Sequence, residues 1–87
     1  MNLELRQTGT FEKDVKKLDV ALKARIKKAI EKIAANPEGG KPLKHLPNVF
    51  SERIENCRLI YRASGNEILL VCFKNREQVY EFLKEHY

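Results

Sequence analysis

The chain has 87 residues, of which 43% are hydrophobic and 33% charged, a composition typical of one globular domain rather than of a disordered segment. No apolar run is long enough to cross a membrane, and the first residues lack the charged-then-apolar pattern of a secretion signal. We therefore expect a single domain, residues 1–87, in the cytoplasm. The formal net charge of +5 at pH 7 indicates an anionic partner, a class that includes nucleic acids and acidic proteins.

The N-terminal half is predicted to hold a short strand and two helices. Residues 2–8 alternate between apolar and polar side chains, as a strand does. A first helix follows, for which Thr10 is the expected cap. A second helix is predicted over Val20–Ala35 with Asp19 as its cap, because apolar residues recur every three or four positions until Asn36-Pro37 ends the pattern. The two helices should form a hairpin with a very short joint.

The C-terminal half is predicted to be a sheet followed by a helix. A loop rich in glycine and proline is expected at PEGGKPLKHLPN. Three strands of an antiparallel meander are predicted at VFSERIE, CRLIYRA and EILLVCF, since only short turn sequences separate them. A terminal helix, capped by Asn75, is predicted at NREQVYEFLKEHY. The predicted fold class is α+β: an N-terminal strand, a helical hairpin, a three-stranded antiparallel meander and a C-terminal helix, with the hairpin covering one face of a mainly antiparallel sheet.

Basic side chains and one phenol surround the ends of the predicted strands. Arg53 and Arg58 flank the first turn, Lys74 and Arg76 follow the last strand, and Tyr80 lies one turn into the final helix. In a meander, these side chains can converge on one side of the sheet. Cations stabilise the charge that grows on an attacked phosphate, and they lower the pKa of a nearby tyrosine. The set therefore suits cleavage of RNA by its own 2′-hydroxyl group.

Ordinary structural roles are the alternative for the same residues. Strand arginines often pair with acids on neighbouring strands, and three glutamates are available for this role. Tyr80 could equally be a residue at the edge of the core. The arginines and the tyrosine form no specific catalytic motif by themselves. The available acids are Glu52, Glu55 and Glu67.

The histidines and cysteines give no sign of a metal or cofactor site. His45 lies in the proline-flanked loop and His86 is the penultimate residue, and neither has a partner at a recognisable spacing. No His or Cys pair has the spacing of metal ligands. Cys57 and Cys72 lie in apolar strand-like segments, where small buried side chains are expected. We therefore predict neither a metal nor a cofactor.

Three features together resemble the RelE/ParE superfamily of toxin–antitoxin toxins: the order of the elements, the phrase KPLKHLPNVFSERIENCRLIYR and the ending FKNREQVY. The resemblance covers essentially the whole chain. It implies a RelE-like toxin of a type II toxin–antitoxin system, an endoribonuclease that cuts mRNA on the ribosome, inhibits translation and is silenced by a partner. The implied partners are a cognate antitoxin, mRNA and the ribosome, with no membrane.

The resemblance also implies roles for individual residues. Arg58 matches the arginine that stabilises the attacked phosphate, and Tyr80 matches the tyrosine proposed as general base. Lys74 stands in place of an arginine that helps the leaving group, and Arg76 matches a nearby basic position. These four are the predicted catalytic residues. The predicted RNA-binding residues are Arg53, Lys44 and Arg62.

Three positions depart from the pattern of the active enterobacterial toxins. Ser51 stands where they carry a second lysine, Lys74 lacks the arginine fork, and Glu55 would place a negative charge near the phosphate. Two alternatives therefore stay open: a ParE-like toxin that inhibits DNA gyrase, and a degenerate member that only binds an antitoxin. The retained arginines and tyrosine favour the endoribonuclease.

Overall fold

The computed structural model describes residues 3–87, so Asn2, where the first predicted strand begins, lies outside the described part. Within these residues the chain forms a five-stranded sheet and three helices. The predicted α+β class is confirmed. In chain order the elements are β1 (Glu4–Gln7), α1 (Gly9–Lys16), α2 (Val20–Ala35), β2 (Lys41–Pro42), β3 (Val49–Ile54), β4 (Cys57–Ser64), β5 (Glu67–Asn75) and α3 (Arg76–His86).

The sheet has the strand order β1-β5-β4-β3-β2. The antiparallel meander of β3, β4 and β5 is confirmed, and β1 adds to it parallel to β5. The two turns of the meander fall at the predicted places, and each uses a residue in the left-handed region. These are Glu55, with φ of 55°, and Gly65, with φ of 60°.

Helices cover both faces of this sheet. The hairpin of α1 and α2 packs on one face, where Phe11 and Ile33 meet Leu59 and Tyr61 of β4. Burying an apolar side chain of this size stabilises a fold by about 1.5–3 kcal/mol, so this layer carries much of the stability. The opposite face holds a second cluster, in which α3 packs on the sheet. Its buried members are Val49, Ile60, Val71, Cys72 and Val79.

A bulge in β5 widens the second cluster. Ile60 lies opposite Cys72 but Tyr61 lies opposite Leu70, so Val71 is an extra residue in the ladder. Both Val71 and Cys72 consequently belong to the cluster beneath α3. The bulge therefore widens the apolar surface on which α3 packs, and it lies shortly before the chain enters that helix.

Thr8 caps α1, so the prediction of Thr10 was wrong. Thr8 Oγ1 accepts a hydrogen bond from the Phe11 amide at 3.0 Å and donates one to the Val71 carbonyl at 2.6 Å. The second bond ties the start of the helix to β5, and no local sequence pattern distinguishes this threonine from the next one. The caps predicted for α2 and α3, Asp19 and Asn75, are confirmed.

The segment predicted entirely as loop contains the edge strand β2. Lys41 pairs with Ser51, and Pro42 pairs with Phe50, in an antiparallel ladder. Two residues are too few to produce an alternating pattern, and proline is tolerated in a strand only at such an edge. The pairing places the start of this segment beside β3.

The hydroxyl of buried Tyr61 fixes the chain just before β2. It donates a hydrogen bond to the Pro37 carbonyl at 3.0 Å and accepts one from the Gly40 amide at 3.1 Å. A Cβ atom at position 40 would lie 2.5 Å from the Tyr61 oxygen, so only glycine permits this approach. The contact sets the position of Lys41, the next residue.

Among the described helices, none has the length and apolar character that crossing a membrane requires.

Candidate active site

A cleft of about 310 Å³ opens between α3 and the strands β2, β3 and β4. Its inner surface is formed by Ser51 and Ile60 of the sheet and by apolar side chains of α3 and of the segment after β2. Charged groups and a phenol surround its mouth. The apolar lining residues are Leu43, Ile60, Val79 and Leu83, and the polar ones are Lys41, Ser51, Arg58, Arg76 and Tyr80.

Arg58 lies at the centre of the basic side of this cleft. It is half-buried on β4, and its neighbours across the ladder are Arg53 and Lys74. Within residues 3–87 it forms no ion pair. A guanidinium that is partly out of water without a carboxylate favours an anionic ligand, for which its fork of donors is suited.

Arg76 and Tyr80 are four residues apart on α3 and therefore share one helix face. The Arg76 guanidinium carbon lies 5.7 Å from the centre of the Tyr80 ring, and the Tyr80 side chain is exposed, with 60% of its surface accessible. The Arg76 guanidinium beside the hydroxyl lowers the pKa of Tyr80, and the charges of Arg58 and Lys41 add to this effect. The cleft thus contains a phenol that ionises more easily than usual.

The start of α3 is fixed by a reciprocal cap. The Asn75 side chain accepts a hydrogen bond from the Gln78 amide at 2.9 Å, and the Gln78 side chain accepts one from the Asn75 amide at 3.3 Å. The helix therefore begins directly where β5 ends. This short connection places Arg76 and Tyr80 beside Arg58 of the neighbouring strand.

The acids that were available to the strand arginines are paired elsewhere. Glu55, which the sequence placed near the attacked phosphate, binds a cation of α2, and so its charge is drawn to the hairpin side of the sheet. Arg6 of β1 does pair with Glu67 of the neighbouring strand β5, but within residues 3–87 neither Arg53 nor Arg58 forms an ion pair with these acids. The observed pairs are Lys32–Glu52 at 2.9 Å, Arg25–Glu55 at 3.0 Å and Arg6–Glu67 at 3.2 Å.

Lys74 lies outside the cleft, unlike the other three predicted catalytic residues. Its ammonium group binds Asp14 Oδ1 at 2.9 Å and lies 5.9 Å from the centre of the Phe82 ring. The other oxygen of Asp14 accepts a hydrogen bond from the Phe73 amide at 3.0 Å. The Asp14 side chain thus holds α1 against the C-terminal end of β5. The spacing of the basic residues in the sequence did not reveal that Lys74 takes part in this contact.

None of the three predicted RNA-binding residues lines the cleft. Arg53 lies opposite Arg58, but its Nε donates to the Glu55 carbonyl at 3.2 Å. Lys44 is exposed between β2 and β3. Arg62 is exposed at the far end of β4, about 13 Å from Arg58 along the strand.

Lys41 also lines the cleft, although the sequence predicted no role for it. It belongs to the sequence KPLK, which was predicted as part of a loop. A loop prediction does not say that this residue pairs with β3. Ser51, noted only for lacking the charge of a lysine, lies directly opposite Lys41 in the ladder. A cation therefore remains next to this position, on the neighbouring strand.

The histidines and cysteines lie away from the cleft lining. The His86 ring lies against the Phe82 ring in a tilted arrangement, with 4.3 Å between ring centres, and His45 occupies a turn with φ of 65°. Burial raises the pKa of Cys72 to about 12 and also raises that of Cys57, so neither thiol is a ready nucleophile near neutral pH. Among residues 3–87, no three His, Cys, Asp or Glu side chains cluster as metal ligands would.

Solved toxin structures share this fold. A mutant of the toxin RelE from E. coli in the free state superposes with a TM-score of 0.78 at 20% identity, covering 93% of each chain. The RelBE2 toxin–antitoxin complex from Mycobacterium tuberculosis gives 0.72 at 27% identity over 87% of this chain and 100% of that one. The YoeB dimer from Staphylococcus aureus gives 0.74 at 23% identity over 87% and 99%. The fold is therefore that of the RelE-like toxins.

The sequence itself matches the family described as the ParE toxin of the type II toxin–antitoxin system parDE, over residues 5–80. The chain belongs to this toxin family, and the resemblance to the RelE/ParE superfamily is confirmed. A comparison with curated protein sequences found no match.

Proposed function

We propose that this toxin is an endoribonuclease that cuts mRNA on the ribosome without a metal ion and thereby inhibits translation. The observation that carries the proposal is the presence of Arg58, Arg76 and Tyr80 in one cleft, with the pKa of the phenol lowered by the adjacent guanidinium. A phosphodiester needs cations on its oxygens and a base for the attacking hydroxyl, and these side chains supply both.

In the proposed reaction the 2′-oxygen of a ribose attacks the neighbouring phosphorus and the bond to the 5′-oxygen breaks. Tyr80, as phenolate, takes the 2′ proton. Arg58 binds the non-bridging oxygens, whose negative charge grows in the transition state. Arg76 lowers the pKa of Tyr80 and so increases the fraction of the phenolate. Water from the open side of the cleft protonates the leaving 5′-oxygen. The products are a 2′,3′-cyclic phosphate and a 5′-hydroxyl end.

We also propose that a cognate antitoxin silences the toxin in the cytoplasm. The support is membership of a toxin–antitoxin family and the fold shared with the toxin of the RelBE2 toxin–antitoxin complex. The net charge of +5 suits an acidic partner of this kind.

Induced expression in cells tests the proposal directly. We expect amino-acid incorporation to stop first, with new mRNA ends appearing inside coding regions, and no such ends with Arg58→Ala. On purified ribosomes, replacing the single 2′-hydroxyl at a mapped cut site by hydrogen should block cleavage there. Cleavage of that deoxy-substituted mRNA at the same position would contradict the proposed chemistry.

Inhibition of DNA gyrase is the second candidate, because the matched family carries the ParE name. In that case thymidine incorporation should stop before amino-acid incorporation, and mRNA should stay whole. If neither process is affected while the chain still binds its antitoxin, the degenerate binding-only alternative replaces both.

A further inference from the structure

Lys41 occupies a position in the cleft that matches the needs of a phosphate ligand. It lines the cleft together with Arg58 and Tyr80, and it is exposed. Within residues 3–87 it forms no ion pair. By contrast, the ammonium group of Lys74 is held by Asp14 at 2.9 Å. Lys41 is therefore a mobile point charge that is free to meet a ligand entering the cleft.

Ser51 gives a second and independent indication of a ligand at the same place. Only 4% of this residue is exposed, and its hydroxyl oxygen is buried without a hydrogen-bond partner among residues 3–87. Unpaired buried hydroxyls are rare in native structures and call for an explanation. Ser51 lines the cleft, and its Cβ lies about 4.5–5.5 Å from that of Lys41, the usual distance between opposed residues.

The fold holds Lys41 in this position through its backbone rather than through its side chain. Gly40 is fixed by the Tyr61 hydroxyl at 3.1 Å, and a Cβ at position 40 would also come within 3.2 Å of the Phe50 Cβ. The next residue, Lys41, pairs with Ser51 in the ladder between β2 and β3. The lysine thus projects from a fixed point with a free side chain.

We propose that Lys41 is a catalytic cation that contacts the phosphate under attack, and that the Ser51 hydroxyl donates a hydrogen bond to the same phosphate. The inference rests on the proposed endoribonuclease function. Lys41 of β2 and Arg58 of β4 both line the cleft, so that the developing charge is met by cations from two strands. An ammonium group and a hydroxyl together supply donors to one oxygen without the geometric demands of a second guanidinium.

The test is single-turnover cleavage of an mRNA on programmed ribosomes over a range of toxin concentrations. Lys41→Ala should lower the rate at saturating toxin by about 10²-fold, as for the loss of one preorganised donor. Lys41→Arg should recover most of that rate, because the charge returns. Ser51→Ala should lower the saturated rate less than Lys41→Ala. Lys27→Ala, the loss of an exposed lysine from α2 on the other face of the sheet, is the matched control and should cut as the parent does.

Three outcomes separate this inference from the proposed function. A Lys41→Ala variant that cuts at the parent rate, while Arg58→Ala does not cut, overturns the inference alone. A Lys41→Ala variant that needs more toxin but reaches the parent rate also overturns it, because Lys41 would then act in docking and not in the transition state. A parent protein that leaves the mRNA whole overturns the proposed function, and the inference falls with it. Thermal unfolding of each variant shows that the fold is intact.

Discussion

At the residue scale, Arg58 is the side chain whose loss should separate function from stability. It is half-buried at the cleft and makes no ion pair within residues 3–87, so Arg58→Ala should change the free energy of unfolding by about 1 kcal/mol or less. Cleavage should fall by about 10²–10³-fold because a preorganised donor to the phosphorane is lost. Lys27→Ala removes one positive charge from an exposed position on the hairpin side and serves as control. Single-turnover rates and thermal unfolding measure the two effects, and an Arg58→Ala rate equal to that of the control would remove Arg58 from the site.

Tyr80 should determine how cleavage depends on pH. Because its pKa is lowered, chiefly by Arg76, the phenolate fraction and therefore the rate should rise with pH and level off below the ordinary tyrosine value of about 10. Arg76→Gln should move that inflection to higher pH, and Tyr80→Phe should abolish it. A pH–rate profile under single-turnover conditions gives the measurement. An inflection that is the same in Tyr80→Phe would show that another group takes the proton.

At the scale of elements, the polar contact between α1 and β5 depends on the carboxylate of Asp14. Asp14 is buried and binds both the Phe73 amide and the Lys74 ammonium group. Asp14→Ala leaves a buried amide unpaired and should destabilise the fold by about 1–3 kcal/mol. Lys74→Met should cost less, since the amide still binds Asp14. Denaturant unfolding measures both, with Glu12→Ala, an exposed acid of the same helix, as control. Equal stability of Asp14→Ala and Glu12→Ala would contradict this reading.

At the scale of the whole molecule, the net charge and the family together predict a complex with an acidic antitoxin. If the antitoxin binds the folded toxin but not the unfolded chain, it should raise the free energy of unfolding of the toxin by about 2.7 kcal/mol when free antitoxin is at 100 times its Kd. The complex should weaken as salt rises, because charges on the basic toxin of pI about 9.4 are screened. Thermal unfolding of the toxin with and without the product of its neighbouring gene tests this. A toxin that unfolds at the same temperature in both samples would count against the pairing.

Local patterns in the sequence determined most of the architecture and part of the site. The apolar period of α2, the caps Asp19 and Asn75 and the short turns of the meander depend on neighbouring residues, and all were predictable. The association of Arg58 with Tyr80 was predictable as well, because a strand, one turn and the next helix connect them.

Only the tertiary structure decided the features that depend on distant residues. Thr8 rather than Thr10 caps α1 because the Val71 carbonyl lies next to it. Lys74 lies outside the cleft because Asp14, 60 positions away, binds it. Lys41 enters the cleft because a two-residue strand pairs with β3, a contact too short to leave a pattern in the sequence. Partners distant along the chain meet through packing, and the energy of that packing has no local signature.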